Sequence, residues 1–411
     1  MSNTFCVMPF THLNIKHEGK VSACWRYPDK LGNYHNETLA EIWNNSNTKL
    51  LRKELLTGTK STGCRSCWDL EESNSNSTRQ QCEKTYDYIN QGIVEQNLDN
   101  DYDFNIKNLK SIEIRFDNIC NLMCRFCSPD YSSVWENAVK NDDILLQSMI
   151  KYGTYRKSNK HLFLTNEIIE EITTKLAPNL NEILIAGGEA LYHEKHYDFL
   201  QNLQPYAKNI RLSYNSNLTT LKYKGKNVTK LWKNFKSIWL RVSLDATPKI
   251  YNYVRTGGNI NKVINNVDYL NKELKNLDMS GTCTTCIYNI TKIVEIIKFF
   301  TEINLYFHTS LVQYPKALNI KLLPLELKEK ITKEYNNFIT NDAEKFIESN
   351  SKLDVNKQLQ RIKKFGNNVI NYMNSENLEN EWNLFLEYTK ILDTHHSTNY
   401  LDYYPEFKIY S

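Results

Sequence analysis

From residue 111 onward, short runs with a two-residue apolar period alternate with longer runs of helical period. The run "SIEIRFD" (111–117) sets Ile112, Ile114 and Phe116 on one face and Glu113, Arg115 and Asp117 on the other, which predicts a strand with one apolar side. Five more strands are predicted at "NEILIAGGE" (181–189), "KNIRLSYNSN" (208–217), "KSIWLRVSLD" (236–245), "SGTCTTCIYN" (280–289) and "NLYFHTSLVQ" (304–313). Helices fall between them. "SSVWENAV" opens one with a capping-box pattern from Ser133 to Glu136. "NEIIEEITTKL" (166–176) repeats Ile168, Ile169, Ile172 and Leu176 at helical spacing, and "NINKVINNVDYLNKEL" and "ITKIVEIIKFF" follow. This alternation predicts parallel strands joined by helical crossovers. A strand between two helix layers would be apolar on both faces. The charged faces of 111–117 and 236–245 instead predict a sheet curled into a barrel or part-barrel, apolar outside and polar around a ligand inside. Its functional loops then lie at the carboxyl ends of the strands.

The flanks read differently. Residues 1–83 hold five cysteines among turn-rich stretches, and residues 84–110 are polar and acidic, as a linker would be. Residues 321–411 read as helices with a Tyr-rich tail, "NYLDYYPEF", expected to pack on the barrel. Composition adds little: 411 residues, 41% hydrophobic and 24% charged, suit a soluble globular chain. A net charge of +4 gives no signal for nucleic acid. The start "MSNTFCVMPF" lacks the basic and apolar regions of a signal peptide, and no apolar run approaches the ~20 residues of a membrane span, so a cytoplasmic protein is expected. In a reducing compartment, ten cysteines in clusters point to metal or redox chemistry more than to disulfides.

The densest cluster is "CNLMCRFC", with Cys120, Cys124 and Cys127 directly after the first strand. Structural zinc wants four ligands, and no histidine lies near this loop. A dithiol redox pair of Cys124 and Cys127 leaves Cys120 idle, and a polar loop carrying Asn121, Arg125 and Asp130 is a poor place for three packing cysteines. An iron–sulfur cube takes four thiolates, one per iron, so three on one loop leave one iron open to a substrate or cosubstrate.

Cys-x3-Cys-x2-Cys after the first strand of a βα barrel resembles the radical S-adenosylmethionine (SAM) superfamily. In that family the open iron of a [4Fe-4S] cluster chelates SAM, one electron cleaves the sulfonium C–S bond, and the 5′-deoxyadenosyl radical abstracts a substrate hydrogen. The resemblance implies cluster ligation by Cys120, Cys124 and Cys127, and adenine contact by Phe126. "AGGEA" resembles the glycine-glycine-glutamate motif, with Gly187 and Gly188 allowing close approach and Glu189 pairing with the SAM ammonium. "YNSNLT" aligns Ser216 and Asn217 with a third-strand motif whose glycine is replaced by Leu218. "RVSLDA" puts Ser243 and Asp245 near the ribose, "YNYVRTGGN" puts Arg255 near the SAM carboxylate, and Asn289 and 311–315 match later strand ends. The matching region is 111–320, a partial (β/α)6 TIM-like barrel. Glu113 and Arg115 point into it, either lining a substrate cavity or holding it together as an ion pair.

In front, "CVMPFTHLNIKHEGKVSAC" reads as a hairpin about Glu18-Gly19 with Cys6 and Cys24 at its ends. A straight hairpin sets Cys24 opposite Leu13 and leaves Cys6 ~20 Å away, so Pro9 must mark a bend if both hold one centre. Gly19-x4-Cys24, the "LAEIW" helix and Cys64-x2-Cys67 resemble the SPASM/twitch modules that carry auxiliary iron–sulfur clusters, which usually follow the barrel. Cys6, Cys24, Cys64 and Cys67 suffice for one closed cube, and the same spacing suits zinc. Cys82 is left over, either spare or a replacement for one of the four, and Cys283 and Cys286 read as packing residues on a strand. The resemblance implies an enzyme fed by a reductant such as flavodoxin or ferredoxin, acting on a peptide or protein side chain. A small molecule or nucleotide is the alternative substrate, and a non-catalytic iron–sulfur or zinc electron carrier the alternative class.

Overall fold

The computed structural model describes residues 3–72, 76–86, 89–155 and 164–411. Nine strands form its main sheet: β1 (His12–Ile15), β2 (Lys20–Ser22), β3 (Gly32–Asn33), β4 (Ser111–Ile114), β5 (Glu182–Ile185), β6 (Arg211–Ser216), β7 (Ser237–Ser243), β8 (Leu277–Thr285) and β9 (Tyr306–Leu311). Their order is β9-β8-β7-β6-β5-β4-β1-β2-β3, and β4 to β9 run parallel in sequence order. All six strands predicted after residue 110 are present, in the order of a (β/α)6 part-barrel.

Register sorts the side chains as the sequence pattern requires. Ile112, Ile183, Leu212 and Ile238 form one row, all fully buried on the helix-covered side. Glu113, Leu184, Ser213 and Trp239 form the next row, on the opposite face. Trp239 is 43% exposed in the middle of β7, so this concave face is open to solvent.

The amino-terminal hairpin extends the same sheet. β1 lies parallel to β4 with Asn14 level with Glu113, while β2 and β3 continue antiparallel. The module is thereby fused, strand to strand, to the first strand of the barrel. Glu171 of the helix Asn166–Glu171 strengthens the junction by accepting the Leu39 and Ala40 N–H groups (3.1 and 3.2 Å) at the start of Leu39–Trp43, the "LAEIW" helix.

The stretch 84–110 differs from a plain linker. It forms the helix Gln91–Asn97 and buries Val94, Phe104 and Leu109. Trp43 Nε1 donates to the Phe104 carbonyl at 2.7 Å, and the buried Arg52 guanidinium lies 4.6 Å from the Trp43 ring. These apolar residues stand singly among polar ones, so composition hides them; residues 87–88 lie outside the described residues.

The carboxyl-terminal helices cover the opposite edge. Val355–Asn374 packs along β9, where Gln358 accepts the Phe307 N–H (2.9 Å) and Arg361 donates to the Phe307 carbonyl (3.1 Å). Edge groups of β9 are thus satisfied by side chains instead of another strand. The Tyr-rich tail packs on the barrel as expected, with Tyr403 4.3 Å from Tyr253. Among the described residues no helix is long and apolar enough to cross a membrane.

Candidate functional site

The three-cysteine loop leaves the carboxyl end of β4 and is fixed before the first thiol is reached. Asp117 accepts the Ile119 N–H at 2.5 Å and holds His193 Nε2 at 2.7 Å. Asn118 donates to the Pro129 carbonyl (3.0 Å) and to Glu136 (2.9 Å). The helix Ser133–Asn141 then stitches the loop to its first turn: Cys120 N–H donates to Ser133 Oγ (3.2 Å), Ser132 Oγ to the Leu122 carbonyl (2.7 Å), and Trp135 Nε1 to the Cys124 carbonyl (2.9 Å). Met123–Cys124 pairs antiparallel with Arg255–Thr256, which sets Arg255 level with Cys124. The thiols feel one another. Burial, then Cys124 and Glu189, push Cys120 up to about 12, and burial with Cys124 and Cys120 raises Cys127. Among the described residues no three such side chains are grouped to ligate a single metal ion, so the donor set suits the wider span of a thiolate-held iron–sulfur cube.

Opposite the loop, β5 ends in the glycine pair. Both glycines have positive φ, +79° at Gly187 and +47° at Gly188. A Cβ on Gly188 would sit 2.4 Å from the Ile119 carbonyl oxygen, so only glycine lets this strand end meet the cysteine loop. Glu189 N–H then donates to that same carbonyl at 2.7 Å. The Glu189 carboxylate is 2% exposed and accepts from Asn217 N–H (2.6 Å), Ser216 Oγ (2.8 Å) and Leu191 N–H (3.2 Å). Burial pushes its carboxyl up against the pull of these donors. Three partners leave about one of its four lone-pair directions for a further donor.

The other expected residues gather here too. Asn217 Nδ2 donates to Asn121 Oδ1 (2.9 Å), and Asn121 Nδ2 to Thr219 Oγ1 (3.0 Å), tying the end of β6 to the cysteine loop. Leu218 takes φ +53°, so a leucine adopts the left-handed turn that glycine makes freely. Asp245 forms a buried ion pair with Arg255 and accepts the Thr284 N–H. Burial works against the Arg255 charge, but Cys124 and Asp245 outweigh it and hold its pKa above the ordinary value. Asn289 Nδ2 donates to the Asp245 carbonyl at 3.0 Å. Phe126 and Ser243 are half-buried near by in the chain. Glu113 and Arg115 form an ion pair at 2.7 Å on the concave face, with Arg115 also 5.2 Å from the Tyr131 ring.

The amino-terminal cysteines meet in one pocket. Cys6, Cys24, Cys64 and Cys67 line it with Tyr27, Ser66 and Arg79. The expected bend exists as the one-turn helix Met8–Thr11, whose first turn holds Pro9. The register Asn14–Ser22 and Ile15–Val21 sets Cys24 level with His12, one residue from the expected Leu13. Burial, then Cys24 and Cys67, push Cys64 up to about 12. Ser66 Oγ is buried with no partner. Four thiols lining one pocket fit a thiolate-held cluster, whereas among the described residues no three are grouped to hold a single metal ion such as zinc. Cys82, in the helix Thr78–Thr85, is electrostatically coupled to Cys6, Cys24 and Cys67 but does not line the pocket. Cys283 and Cys286 are fully buried; the strand stops at Thr285, so Cys286 instead caps the turn Ile287–Ile290.

One anchor has no sequence signal. Arg125, between the second and third cysteines, is wholly buried and pairs with Asp393 at 2.9 Å. It also donates to the Tyr253 carbonyl (2.8 Å) and Thr398 Oγ1 (2.6 Å), and lies 3.7 Å from the Tyr253 ring. Asp393 and Thr398 come from the far end of the chain, so no spacing announces them.

A radical SAM superfamily model matches residues 114–300, and a model of the iron-sulfur cluster-binding SPASM domain matches residues 6–68. No curated protein matches the chain. Among solved structures, anSMEcpe with bound AdoMet is similar at 19% identity, over 59% of this chain and 63% of that one, with a TM-score of 0.40. Streptococcus suis SuiB bound to S-adenosylmethionine is similar at 15% identity, over 83% and 70%, with a TM-score of 0.38. TYW1 with a lysine-pyruvate adduct bound is similar at 14% identity, over 65% and 86%, with a TM-score of 0.31. The chain spans less than two thirds of the length of the first of these. Both matching domain types imply [4Fe-4S] clusters, and the first also implies SAM. Residues 114–300, which carry the three thiols after β4, thus match the radical SAM superfamily, and residues 6–68, which supply the four thiols of the amino-terminal pocket, match the SPASM iron–sulfur domain.

Proposed function

We propose that the protein is a radical SAM enzyme acting on a peptide or protein side chain. The observation that carries this reading is the meeting of the Cys120–Cys127 loop with the buried Glu189 across a glycine-only contact at the strand ends. Cys120, Cys124 and Cys127 would hold a [4Fe-4S] cluster, which when bound supplies the electron that cleaves SAM to a hydrogen-abstracting radical. Glu189, aligned by Asn217 and Ser216, offers a carboxylate acceptor to the SAM ammonium. Arg255, fixed by Asp245, is the cation for the SAM carboxylate. Phe126 and Ser243 are the residues for the adenine and ribose. Cys6, Cys24, Cys64 and Cys67 would hold the second cluster, and a flavodoxin or ferredoxin is the proposed reductant. The open concave face, polar and with Trp239 exposed, gives a side chain on a peptide room to reach the strand ends.

Anaerobic reconstitution is expected to give about eight irons per chain, for two four-iron clusters. Dithionite with SAM should then release 5′-deoxyadenosine, and Cys124→Ala should abolish the release. A reconstituted chain that binds iron and never cleaves SAM would mark an electron carrier instead. Cys64→Ala should keep uncoupled SAM cleavage while losing product; normal product formation would remove the role given to the amino-terminal domain.

A further inference from the structure

The concave face is not electrically uniform. Along β4 to β6 its cations are matched: Arg115 with Glu113 at 2.7 Å, and Arg211 with Glu182 at 2.7 Å. The β7–β9 end is different. Register sets Arg241 level with Ser280 and Tyr306, and in the next row on the same face Ser243 level with Thr282 and His308. Arg241 is exposed in mid-strand, and among the described residues its side chain makes no hydrogen bond and no ion pair. The helix Val355–Asn374 adds two cations from the side. Arg361 lies 5.6 Å from the Tyr306 ring, and Lys364 lies 5.5 Å from Phe365, whose ring is 4.7 Å from His308. The charges that reach His308 are Arg241, Arg361 and Lys364, all positive; burial and these three hold its pKa down to about 3, so it stays neutral. Its Nδ1 is buried without a partner. The carboxylate that Arg361 feels, Asp278, lies 3.6 Å from Lys357.

Three cations around the imidazole repel one another, and the carboxylates they feel, Glu182 for Arg241 and Asp278 for Arg361, are already paired with Arg211 and Lys357. A bound anion would relieve that repulsion and give Nδ1 a partner. The donors are side chains, since strand amides at this position are committed to the sheet ladder. Guanidinium forks match the planar geometry of a carboxylate. A phosphate site usually recruits a glycine-rich turn or a helix amino terminus; the helix start beside Tyr306 is already capped by the Asp354 carboxylate, which accepts the Lys357 N–H at 2.7 Å.

We infer that this end of the concave face is a substrate subsite for an acidic side chain of the peptide, with its carboxylate seated between Arg241 and Arg361, His308 as a hydrogen-bonding partner and Lys364 at the rim. The subsite rests on the peptide reading above. It sits one row below the strand end that carries Asp245, so an anchored acidic residue leaves a neighbouring residue of the same peptide free to reach the cysteine loop.

Trp239, exposed two residues from Arg241, serves as the reporter, with Trp239→Phe as the control for the other tryptophans. At low salt the reconstituted protein is titrated with tetraglutamate, tetralysine and inorganic phosphate. Saturable quenching is expected with tetraglutamate only, weakened by salt, and about tenfold weaker in Arg241→Met and in Lys364→Met, as for loss of one charge-assisted contact. Both substituted side chains are exposed, so these variants keep the fold, whereas Arg361→Met would also lose its bond to the Phe307 carbonyl. Equal binding of tetraglutamate by wild type and both variants, no binding at all, or saturation by phosphate at the same concentration overturns the subsite. Release of 5′-deoxyadenosine by the wild-type chain without peptide is read separately. Its absence overturns the enzymatic reading and leaves the anion subsite to stand or fall on the titration.

Discussion

Gly187 and Gly188 look alike in the sequence but do different work. Both need the left-handed region, which disfavours a Cβ by about 1 kcal/mol. A Cβ at Gly187 meets the base of the Arg115 side chain at 3.1–3.2 Å, a contact relieved by a shift of a few tenths of an ångström. At Gly188 it meets the Ile119 carbonyl oxygen at 2.4 Å, which belongs to the cysteine loop and cannot move without carrying Cys120 with it. Gly188→Ala is therefore expected to cost about 2–4 kcal/mol, backbone strain plus overpacking, and to lower the iron held by the loop. Gly187→Ala should cost about 1 kcal/mol and retain iron. Urea unfolding with iron analysis separates them, and equal losses would contradict the close approach. Much at this scale is legible in sequence: Cys120, Cys124, Cys127, Gly188 and Glu189 announce themselves by type and spacing. Leu218 does not, because its left-handed backbone is imposed by the Ser216 hydroxyl that accepts its N–H at 2.9 Å and by full burial, not by residue type.

Between elements, the strands were readable because a single period governs them: polar on the concave face and apolar under the helices. The anchoring of the cysteine loop was not readable, since Arg125 and Thr398 are 273 positions apart. The helix Trp382–His396 brings Asp393 under the loop, and Asp393 also accepts from Tyr253 Oη (3.1 Å), Thr398 Oγ1 (2.7 Å) and Tyr400 N–H (2.7 Å). Removing one member of such a buried pair leaves the other charge without compensation, a loss of about 3–5 kcal/mol. Asp393→Ala is expected to lose that much stability in urea unfolding. It should also retain less iron at the cysteine loop, because Arg125 sits between two of its thiols. A change below about 0.5 kcal/mol with full iron content would show that the tail does not support the loop. The same reasoning explains why 84–110 reads as a linker: Val94, Phe104 and Leu109 carry no period, and only the fold shows Phe104 meeting Trp43 and Arg52.

For the molecule as a whole, the decisive feature is the seam between β1 and β4, where the amino-terminal domain joins the barrel sheet. His12 lies on that seam, 3% exposed, with Nδ1 2.7 Å from Ser111 Oγ and Nε2 buried without a partner. Burial lowers its pKa from 6.5 to about 4, against the opposing pull of Glu113 and Glu182. The folded chain thus keeps His12 neutral while the unfolded chain takes up a proton below pH 6.5. Stability from this residue is whole above 6.5 and is lost as pH falls toward about 4, at up to about 1.4 kcal/mol per pH unit. Buried His196, lowered to about 3, adds a loss of the same sign between the sheet and its covering helix. Between pH 6.5 and 5 the wild-type chain should lose up to about 2 kcal/mol through His12, which His12→Gln should not lose. Urea midpoints of both proteins at pH 7.5, 6.5 and 5 measure the difference. Parallel curves would mean that His12 is not buried neutral at the seam, and that the two domains do not share the sheet in the way its register requires.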